Sequence, residues 1–237
     1  MRVGSDSTLR PSIARPQSLS ARARMLLLIL GALWVAALAY GVIALRTYES
    51  TPGATGLTPT IWPAASQITP DPSRASLVML VHPQCSCTRA SLEELNAIMN
   101  QSKGRVSAWV LFIKPTGIQE GWERSATWTE AHDIPGVTVL VDKKGAEASR
   151  FGALTSGHIV LYDRNGHLMF SGGITSARGH AGDNLGRQSI LALLDGNAAR
   201  HRVHEVYGCP LSEETVTASN TPRLGNALNS TIGAKNP

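Results

Sequence analysis

Two of the three cysteines, Cys85 and Cys87, lie two positions apart at the junction between a predicted strand and a predicted helix. Residues 77–81 form an apolar run typical of a buried strand. Apolar side chains then recur at helical spacing until Lys103-Gly104 ends the segment. At the start of a helix, unpaired N–H groups and the helix dipole stabilise a thiolate relative to a thiol. The position therefore predicts a reactive cysteine, or a thiolate that binds a soft metal ion.

Plainer alternatives exist for each of these residues. A structural disulfide between Cys85 and Cys87 would close a very small ring, which contributes little stability through chain entropy. His82, three residues before Cys85, is either a ligand or charge partner of the thiolate or an ordinary hydrogen-bonded histidine at a strand end. Cys209 is either a resolving cysteine or third thiolate ligand, or a free thiol or structural bridge. These alternatives stay open at this stage.

The elements around the cysteines predict an α/β fold. Further strands are predicted at residues 106–113, 137–142, 158–162 and 168–170, and further helices at residues 119–132, 146–151 and 185–194. Asp163-Arg164-Asn165-Gly166 is a strong hairpin signal between the last two strands. The order β-α-β-α-β-(short α)-β-β-α predicts a mixed sheet flanked by helices.

A strand, a proline, a cysteine-rich turn and an amphipathic helix in this order resemble the active site of the thioredoxin-like superfamily. That family usually carries Cys-x-x-Cys, whereas this chain has Cys85-Ser86-Cys87-Thr88. Residues 137–173 are similar to the membrane-tethered thiol reductases of cytochrome maturation and to peroxiredoxins, and the bacterial RedB-like proteins look closest. The similarity spans about residues 60–197. It implies a thioredoxin-like fold in which Cys85 is the attacking thiolate.

Two departures from the family's pattern bear on function. Thioredoxin-like proteins place a cis-proline opposite the cysteines, where it offers backbone to an extended substrate and keeps metals from the thiols. Ser156-Gly157 stands at that position here, so a substrate clamp at Gly157 is less expected and metal binding is more so. The Thr-x-x-Cys pattern of peroxiredoxins is not met, because His82 occupies the threonine position. A peroxidase is therefore the third choice.

The loop of residues 178–184 joins the last predicted strand to the last predicted helix. In thioredoxin-like folds that connection borders the active-site end. The resemblance thus implies that Arg178 or His180 lowers the pKa of a thiolate or holds an anionic substrate group. The alternative is a solvated, glycine-rich loop in which Asp183 or Asn184 only caps the helix.

An apolar segment near the N-terminus predicts a membrane anchor. Residues 25–45 contain 21 residues and no charge, which is long enough to span a bilayer. Five arginines before residue 25 account for most of the net charge of +5, so the basic excess indicates topology and not nucleic-acid binding. The positive-inside rule keeps residues 1–24 in the cytoplasm. A cleaved signal peptide is the alternative, and both place the domain in a disulfide-permissive compartment.

Composition predicts the remaining boundaries. Residues 46–75 are rich in Thr, Pro, Gly and Ser and predict a linker, within which residues 60–62 could pack as a short edge strand. Residues 76–209 predict the thioredoxin-like domain. Residues 210–237 are polar and predict a disordered tail.

Together these observations predict a single-pass protein of the bacterial inner membrane with a thiol:disulfide oxidoreductase domain in the periplasm. Cys85 is expected to attack and Cys87 or Cys209 to resolve the mixed disulfide, with Cys85 and Cys87 as the favoured pair. The expected partners are the membrane and a protein thiol or disulfide, with no nucleic acid and no organic cofactor. The alternative is a Cu(I)-binding or copper-delivery protein that uses Cys85, Cys87 and His82 or Cys209.

Overall fold

The computed structural model describes residues 20–211, and the chain divides into two units after Arg46. Helix α1 (Ala21–Ser50) is 30 residues long and contains the predicted span of residues 25–45. Its length and apolar composition are those of a membrane-crossing helix, and a signal sequence shares them. Because the helix continues to Ser50, the first residues of the predicted linker are helical. Residues 1–19 of the predicted cytoplasmic segment lie outside the described part.

The second unit is built on a five-stranded mixed sheet with the strand order β3-β2-β1-β4-β5. Its elements are β1 (Ala75–Val81), α2 (Cys87–Ser102), β2 (Val106–Lys114), α3 (Ala126–His132), β3 (Val137–Lys143), α4 (Ala146–Arg150), β4 (His158–Tyr162), β5 (Leu168–Gly172) and α5 (Leu185–Leu194). Strands β1, β2 and β3 are parallel, β4 is antiparallel to β1, and β5 is antiparallel to β4. The predicted α/β class and element order are confirmed.

The first strand is buried on both faces because the sheet is covered on both sides. Leu77 and Met79 belong to the apolar cluster that includes residues of α2 and α5. Val78 and Leu80 belong to the cluster on the opposite face, around Phe151. A continuous apolar run, rather than an alternating one, is what a central strand with two covered faces requires. The site residues that follow β1 are therefore attached to a central strand that is buried from Ser76 to Val81.

One helix is much shorter than predicted. Residues 119–132 were expected to be helical, but α3 begins only at Ala126, after Ser125 in an extended conformation. The preceding residues form turns, with Gly121 at φ +84°, a conformation that an α-helix does not contain. Glu123 is buried there and pairs with Lys114 at 3.2 Å. This ion pair joins the turn to the end of β2.

The predicted linker is not a free tether over most of its length. The N–H of Gly53 donates to the carbonyl of Val206, and the N–H of Trp62 donates to that of Gly166, each at 2.8 Å. The Trp62 ring packs edge-on against neighbouring aromatic rings of the domain. The expected short strand at residues 60–62 appears as a single antiparallel bridge from Ile61. The compact domain therefore begins well before residue 76.

The C-terminal boundary of the domain also differs from the predicted one. The structure includes Pro210 and Leu211 in the domain, since Pro210 forms an antiparallel bridge with Thr155 and Leu211 is buried. These two residues had been predicted to start a disordered tail. The remainder of that predicted tail, residues 212–237, lies outside the described part of the chain.

Candidate active site

The cysteine turn lies between the end of β1 and the start of α2. The N–H of Cys85 donates to the carbonyl of His82 at 3.1 Å, and the N–H of Thr88 donates to the carbonyl of Cys85 at 3.0 Å. Cys87 is the first residue of α2, and in the described part of the chain the side chain of the preceding Ser86 makes no capping bond. The positive end of α2 therefore lies beside both sulfur atoms, as the sequence pattern predicts.

Cys85 is the hydrogen-bond acceptor at the centre of the site. Its side chain is buried, and its sulfur accepts a bond from the backbone N–H of Cys209 at 3.4 Å. Bonds from the thiols of Cys209 and Cys87 hold the pKa of Cys85 well below its usual value, and they outweigh the burial, which raises it. Donors that converge on one sulfur favour its anionic form.

The two donor thiols behave in the opposite way. The pKa values of Cys87 and Cys209 are raised, first because each thiol donates to Cys85 and then because each is removed from water. The charge of Arg178 lowers both values but does not reverse the shift. The structure thus brings together all three cysteines, none of them in a disulfide, and the pKa shifts favour the thiolate at Cys85 over the other two.

Arg178 is the cation that the predicted loop contributes. Its guanidinium donates to the carbonyl of Gly208, next to Cys209, and lies 5.0 Å from the centre of the Tyr48 ring. Its Nε is buried and has no hydrogen-bond partner among residues 20–211. His180, the other candidate in this loop, is exposed, and its Nδ1 lies 2.8 Å from the carbonyl oxygen of Arg178. The solvated-loop interpretation therefore fits His180 better than a role at the sulfur atoms.

His82 is held in place as a neutral side chain. Its Nδ1 accepts a bond from the N–H of Gln84 at 3.2 Å, and its ring packs edge-on against Trp122. Burial lowers the pKa of His82, against the opposing charge of Cys85. This arrangement favours the hydrogen-bonded histidine over the metal ligand. Within residues 20–211, the three neighbouring cysteines included, no three His, Cys, Asp or Glu side chains are arranged so that they could hold a metal ion.

The loop of residues 154–157 lies opposite the cysteine turn, at the position where the family carries its cis-proline. No cis peptide bond occurs in the described part of the chain. The hydroxyl of Ser156 accepts a bond from the N–H of His82 at 2.9 Å and lies 3.2 Å from the Thr88 hydroxyl. Gly157 adopts φ +89°, and its N–H donates to the carbonyl of Leu80 at 2.8 Å. The loop is thereby bonded to both β1 and the cysteine turn.

The same loop binds the backbone of residues 209–211 through Leu154 and Ser156. The N–H of Ser156 donates to the carbonyl of Cys209 at 2.8 Å, and the N–H of Leu211 donates to that of Leu154 at 2.9 Å. The extended segment belongs to this chain itself. Gly208 is a contributor that no local sequence pattern marks, whereas Thr88 and Ser156 stood out only as departures from the family's pattern.

Glu94 corrects a further expectation. It had been assigned with Glu93 to a solvated face of the first helix, but its side chain is buried. Its carboxylate accepts bonds from the N–H of Gly182, the amide of Asn184 and the guanidinium of Arg187, at 2.6 to 2.8 Å. Asn184 is also the N-cap of α5, one of the two predicted caps. The cluster ties the loop that carries Arg178 to helix α2.

No protein-family model and no curated protein matches the sequence. Several solved structures are similar. A hypothetical protein of Sinorhizobium meliloti 1021 is 19% identical over 68% of this chain and 93% of that one, with a TM-score of 0.49. An uncharacterized conserved protein of Geobacillus kaustophilus is 16% identical over 69% and 92%, also with 0.49. A secreted disulfide oxidoreductase of Mycobacterium tuberculosis is 11% identical over 52% and 82%, with 0.37.

The strand order is the observation that decides the fold. The strands β1, β2 and β3 are parallel, and the cysteine turn follows β1. The antiparallel hairpin β4–β5 pairs with the edge of β1 that faces away from β2. The fold is thioredoxin-like. The arrangement places the cysteine turn, the loop before β4 and the loop before α5 at one end of the sheet, as the resemblance implied.

Proposed function

We propose that this protein is a membrane-anchored thiol:disulfide oxidoreductase whose nucleophile is Cys85. One observation carries the proposal: the buried sulfur of Cys85 lies at the N-terminal end of α2 and accepts a bond from the backbone N–H of Cys209 at 3.4 Å, and the thiols of Cys87 and Cys209 lower its pKa further. A structural cysteine gains nothing from such a set of donors. A nucleophile needs them, because the thiolate and not the thiol attacks a disulfide.

The exchange takes place in two balanced steps. The Cys85 thiolate attacks one sulfur of a partner disulfide, forming a mixed disulfide and releasing the other partner sulfur as a thiolate. A second cysteine of the site, Cys87 or Cys209, then loses its proton to that departing thiolate. Its sulfur attacks the Cys85 sulfur and displaces the partner. Two electrons pass from the site to the partner disulfide, and no organic cofactor is needed.

The proposed location is the periplasmic face of the bacterial inner membrane. Helix α1 supports an anchor by its length and composition, and the arginines before it support a cytoplasmic N-terminus. A reporter that is active only in the cytoplasm, fused after residue 200, should be silent in cells. A strong signal from that reporter would refute the placement.

The inserted strand β3 and helix α4 further support a branch close to the membrane-tethered reductases and RedB-like proteins.

The test uses the reduced, full-length protein in detergent with a small aromatic disulfide as substrate. The Cys85→Ser variant should lose measurable exchange, because a serine hydroxyl stays protonated at neutral pH. Cys87→Ser is the matched control and should retain the first step, seen as release of the aromatic thiol. Metal and free-thiol counts on the same samples test the copper alternative. Stoichiometric bound copper, together with exchange unaffected by Cys85→Ser, would replace this proposal by that alternative.

A further inference from the structure

The C-terminal strap, residues 206–211, crosses the site as an extended peptide. The carbonyl of Val206 accepts a bond from the N–H of Gly53 at 2.8 Å, which holds one end. At the other end Pro210 pairs antiparallel with Thr155, between the two backbone bonds already described from residues 154 and 156. The cysteine of the strap thus comes to Cys85 on a short stretch of antiparallel sheet.

The fit between the strap and the loop is close at Gly208. A Cβ added there would lie 2.0 Å from the carbonyl oxygen of Ser156, so the backbones touch where any other residue would collide. Arg178 binds the carbonyl of the same glycine. Beyond Cys209 the Leu211 side chain is buried in the apolar cluster around Phe151. A small residue before the cysteine and an apolar residue two positions after it are what this edge accepts.

Cys85 lies beneath the strap. Only 2% of the Cys85 residue is exposed, and the backbone of Cys209 is in contact with its sulfur. A protein disulfide cannot approach Cys85 in line while the strap is in place. The nucleophile is therefore reached only when this segment lifts from residues 154–156.

We propose that the C-terminal strap is an internal substrate: Cys209 occupies the place of a partner's cysteine, and a partner must displace the strap to react. The inference rests on the proposed function and names its substrate class. That class is an extended peptide with a cysteine, preceded by a small residue and followed two positions later by an apolar one. The edge recognises it through backbone bonds, as in other cases of strand addition.

The strap also completes the exchange. After the partner has formed its mixed disulfide with Cys85, the returning strap brings Cys209 to the same sulfur. Cys209 gives its proton to the partner thiolate released in the first step, and its sulfur attacks that of Cys85. The partner's second sulfur leaves, and a Cys85–Cys209 disulfide remains. Two electrons have passed to the partner, and the strap has taken its place.

The experiment uses the reduced, full-length Cys209→Ser variant and a blocked peptide of residues 205–211, EVYGCPL, activated as its thiopyridyl mixed disulfide. The matched peptide carries N-methyl-leucine at the last position and so lacks the N–H that the carbonyl of Leu154 accepts. The N-methyl peptide should react with Cys85 about two- to tenfold more slowly, the effect of one hydrogen bond. Dithiodipyridine, which has no peptide backbone, measures the intrinsic reactivity of Cys85.

A second comparison uses a variant in which the strap no longer covers residues 154–156. Adding Gly208→Ala to Cys209→Ser should dislodge the strap and accelerate the reaction with EVYGCPL. Adding Val203→Ala, at a residue that is 77% exposed, should leave that rate unchanged. If Gly208→Ala does not fold, the two peptides still decide the question in Cys209→Ser alone.

The outcomes separate the inference from the proposed function. Equal rates for the two peptides, with normal reactivity towards dithiodipyridine, would overturn the internal substrate and leave the oxidoreductase intact. No reaction of Cys85 with any of the three disulfides would overturn the proposed function itself. A slower N-methyl peptide supports both.

Discussion

The cysteine turn and the C-terminal strap reach the same sulfur atom by opposite means. The turn is local, since the bonds that shape it join residues three positions apart, Cys85 to His82 and Thr88 to Cys85. The strap depends on distant partners, and the bond from Cys209 to Cys85 spans 124 positions. The turn supplies the nucleophile, whereas the strap supplies two of its hydrogen-bond donors, a thiol and an N–H.

This difference means that position at a helix N-terminus does not by itself explain the site. Helix α2 presents its positive end to Cys85 and Cys87 alike, yet the pKa of Cys87 is raised and that of Cys85 is lowered. The direction in which the thiols donate distinguishes them. Because Cys209 is the first contributor to the lowered pKa of Cys85, the acidity of Cys85 in the resting protein depends on the docked strap.

The largest expected effect is on stability, and it tests whether the strap closes covalently. An oxidised Cys85–Cys209 pair links residues 124 positions apart, and such a bridge contributes typically about 2–4 kcal/mol. Chemical denaturation of the wild type should show the oxidised form to be more stable by about that amount. Cys209→Ser should abolish the difference between oxidised and reduced samples, whereas Cys87→Ser should preserve it.

Peptide mapping of the oxidised protein provides the direct check. A bridge between Cys85 and Cys87, with Cys209 free, would restore the pairing favoured on sequence grounds and would give almost no stability difference. In that case the strap would act only as a hydrogen-bond donor.

The contrast also explains how much the sequence predicts. Strand β4 and helix α5 have the predicted bounds, and the cysteine junction is where the apolar run and the helical spacing place it. These features depend on residues within a few positions of one another, so periodicity, turn residues and caps indicate them. The short α3 is the exception, because the turn at Gly121 interrupts an otherwise helical pattern.

Apart from the bounds of α3, the features that the sequence did not reveal depend on distant pairing. Glu94 looks like a solvated acid until Arg187, 93 positions away, is seen beside it. Gly208 looks like an ordinary glycine until the carbonyl of Ser156 is found against it. The alternatives for Cys209 stayed open for the same reason, since a polar context does not reveal which backbone a segment will pair with. No pattern within a single segment encodes such contacts.

The second effect concerns pH, and it measures what the strap contributes to the thiolate. In Cys209→Ala the Cys85 sulfur loses a thiol donor, so the pKa of Cys85 should rise. A hydrogen bond to a charged group is worth about 1.5–3 kcal/mol, and the midpoint of Cys85 alkylation should therefore move up by about one to two pH units. Alkylation rates by mass spectrometry across pH give this midpoint.

Cys87→Ala is the control, with a smaller rise expected because Cys87 is the second contributor. The lowered pKa of Cys85 also makes the stability of the fold depend on pH. Folding lowers the pKa of Cys85 from 9.0, so the thiolate's contribution is fully present above pH 9 and is lost as the pH falls through the folded value. An alkylation midpoint unmoved by Cys209→Ala would show that the turn alone creates the thiolate.

The smallest expected effect is that of Thr88→Val, and it separates the scaffold of the site from its chemistry. Thr88 is buried, and its hydroxyl donates to the carbonyl of His82 at 3.1 Å and lies 3.2 Å from the hydroxyl of Ser156. Valine has the same shape but leaves that carbonyl without this donor, which should cost about 1–2 kcal/mol in urea denaturation of the reduced protein. Thr138→Val, at an exposed position of edge strand β3, should change stability by less than about 0.5 kcal/mol.

The alkylation midpoint of Cys85 should not move in Thr88→Val. The Thr88 hydroxyl donates to a carbonyl and not to sulfur, and the N–H of residue 88 still donates to the carbonyl of Cys85. A shift as large as that of Cys209→Ala would instead mean that the strap docks only when the turn and the loop of residues 154–157 are held together. The turn and the strap would then form one cooperative unit, and the local part of the site could not create a thiolate without the distant one.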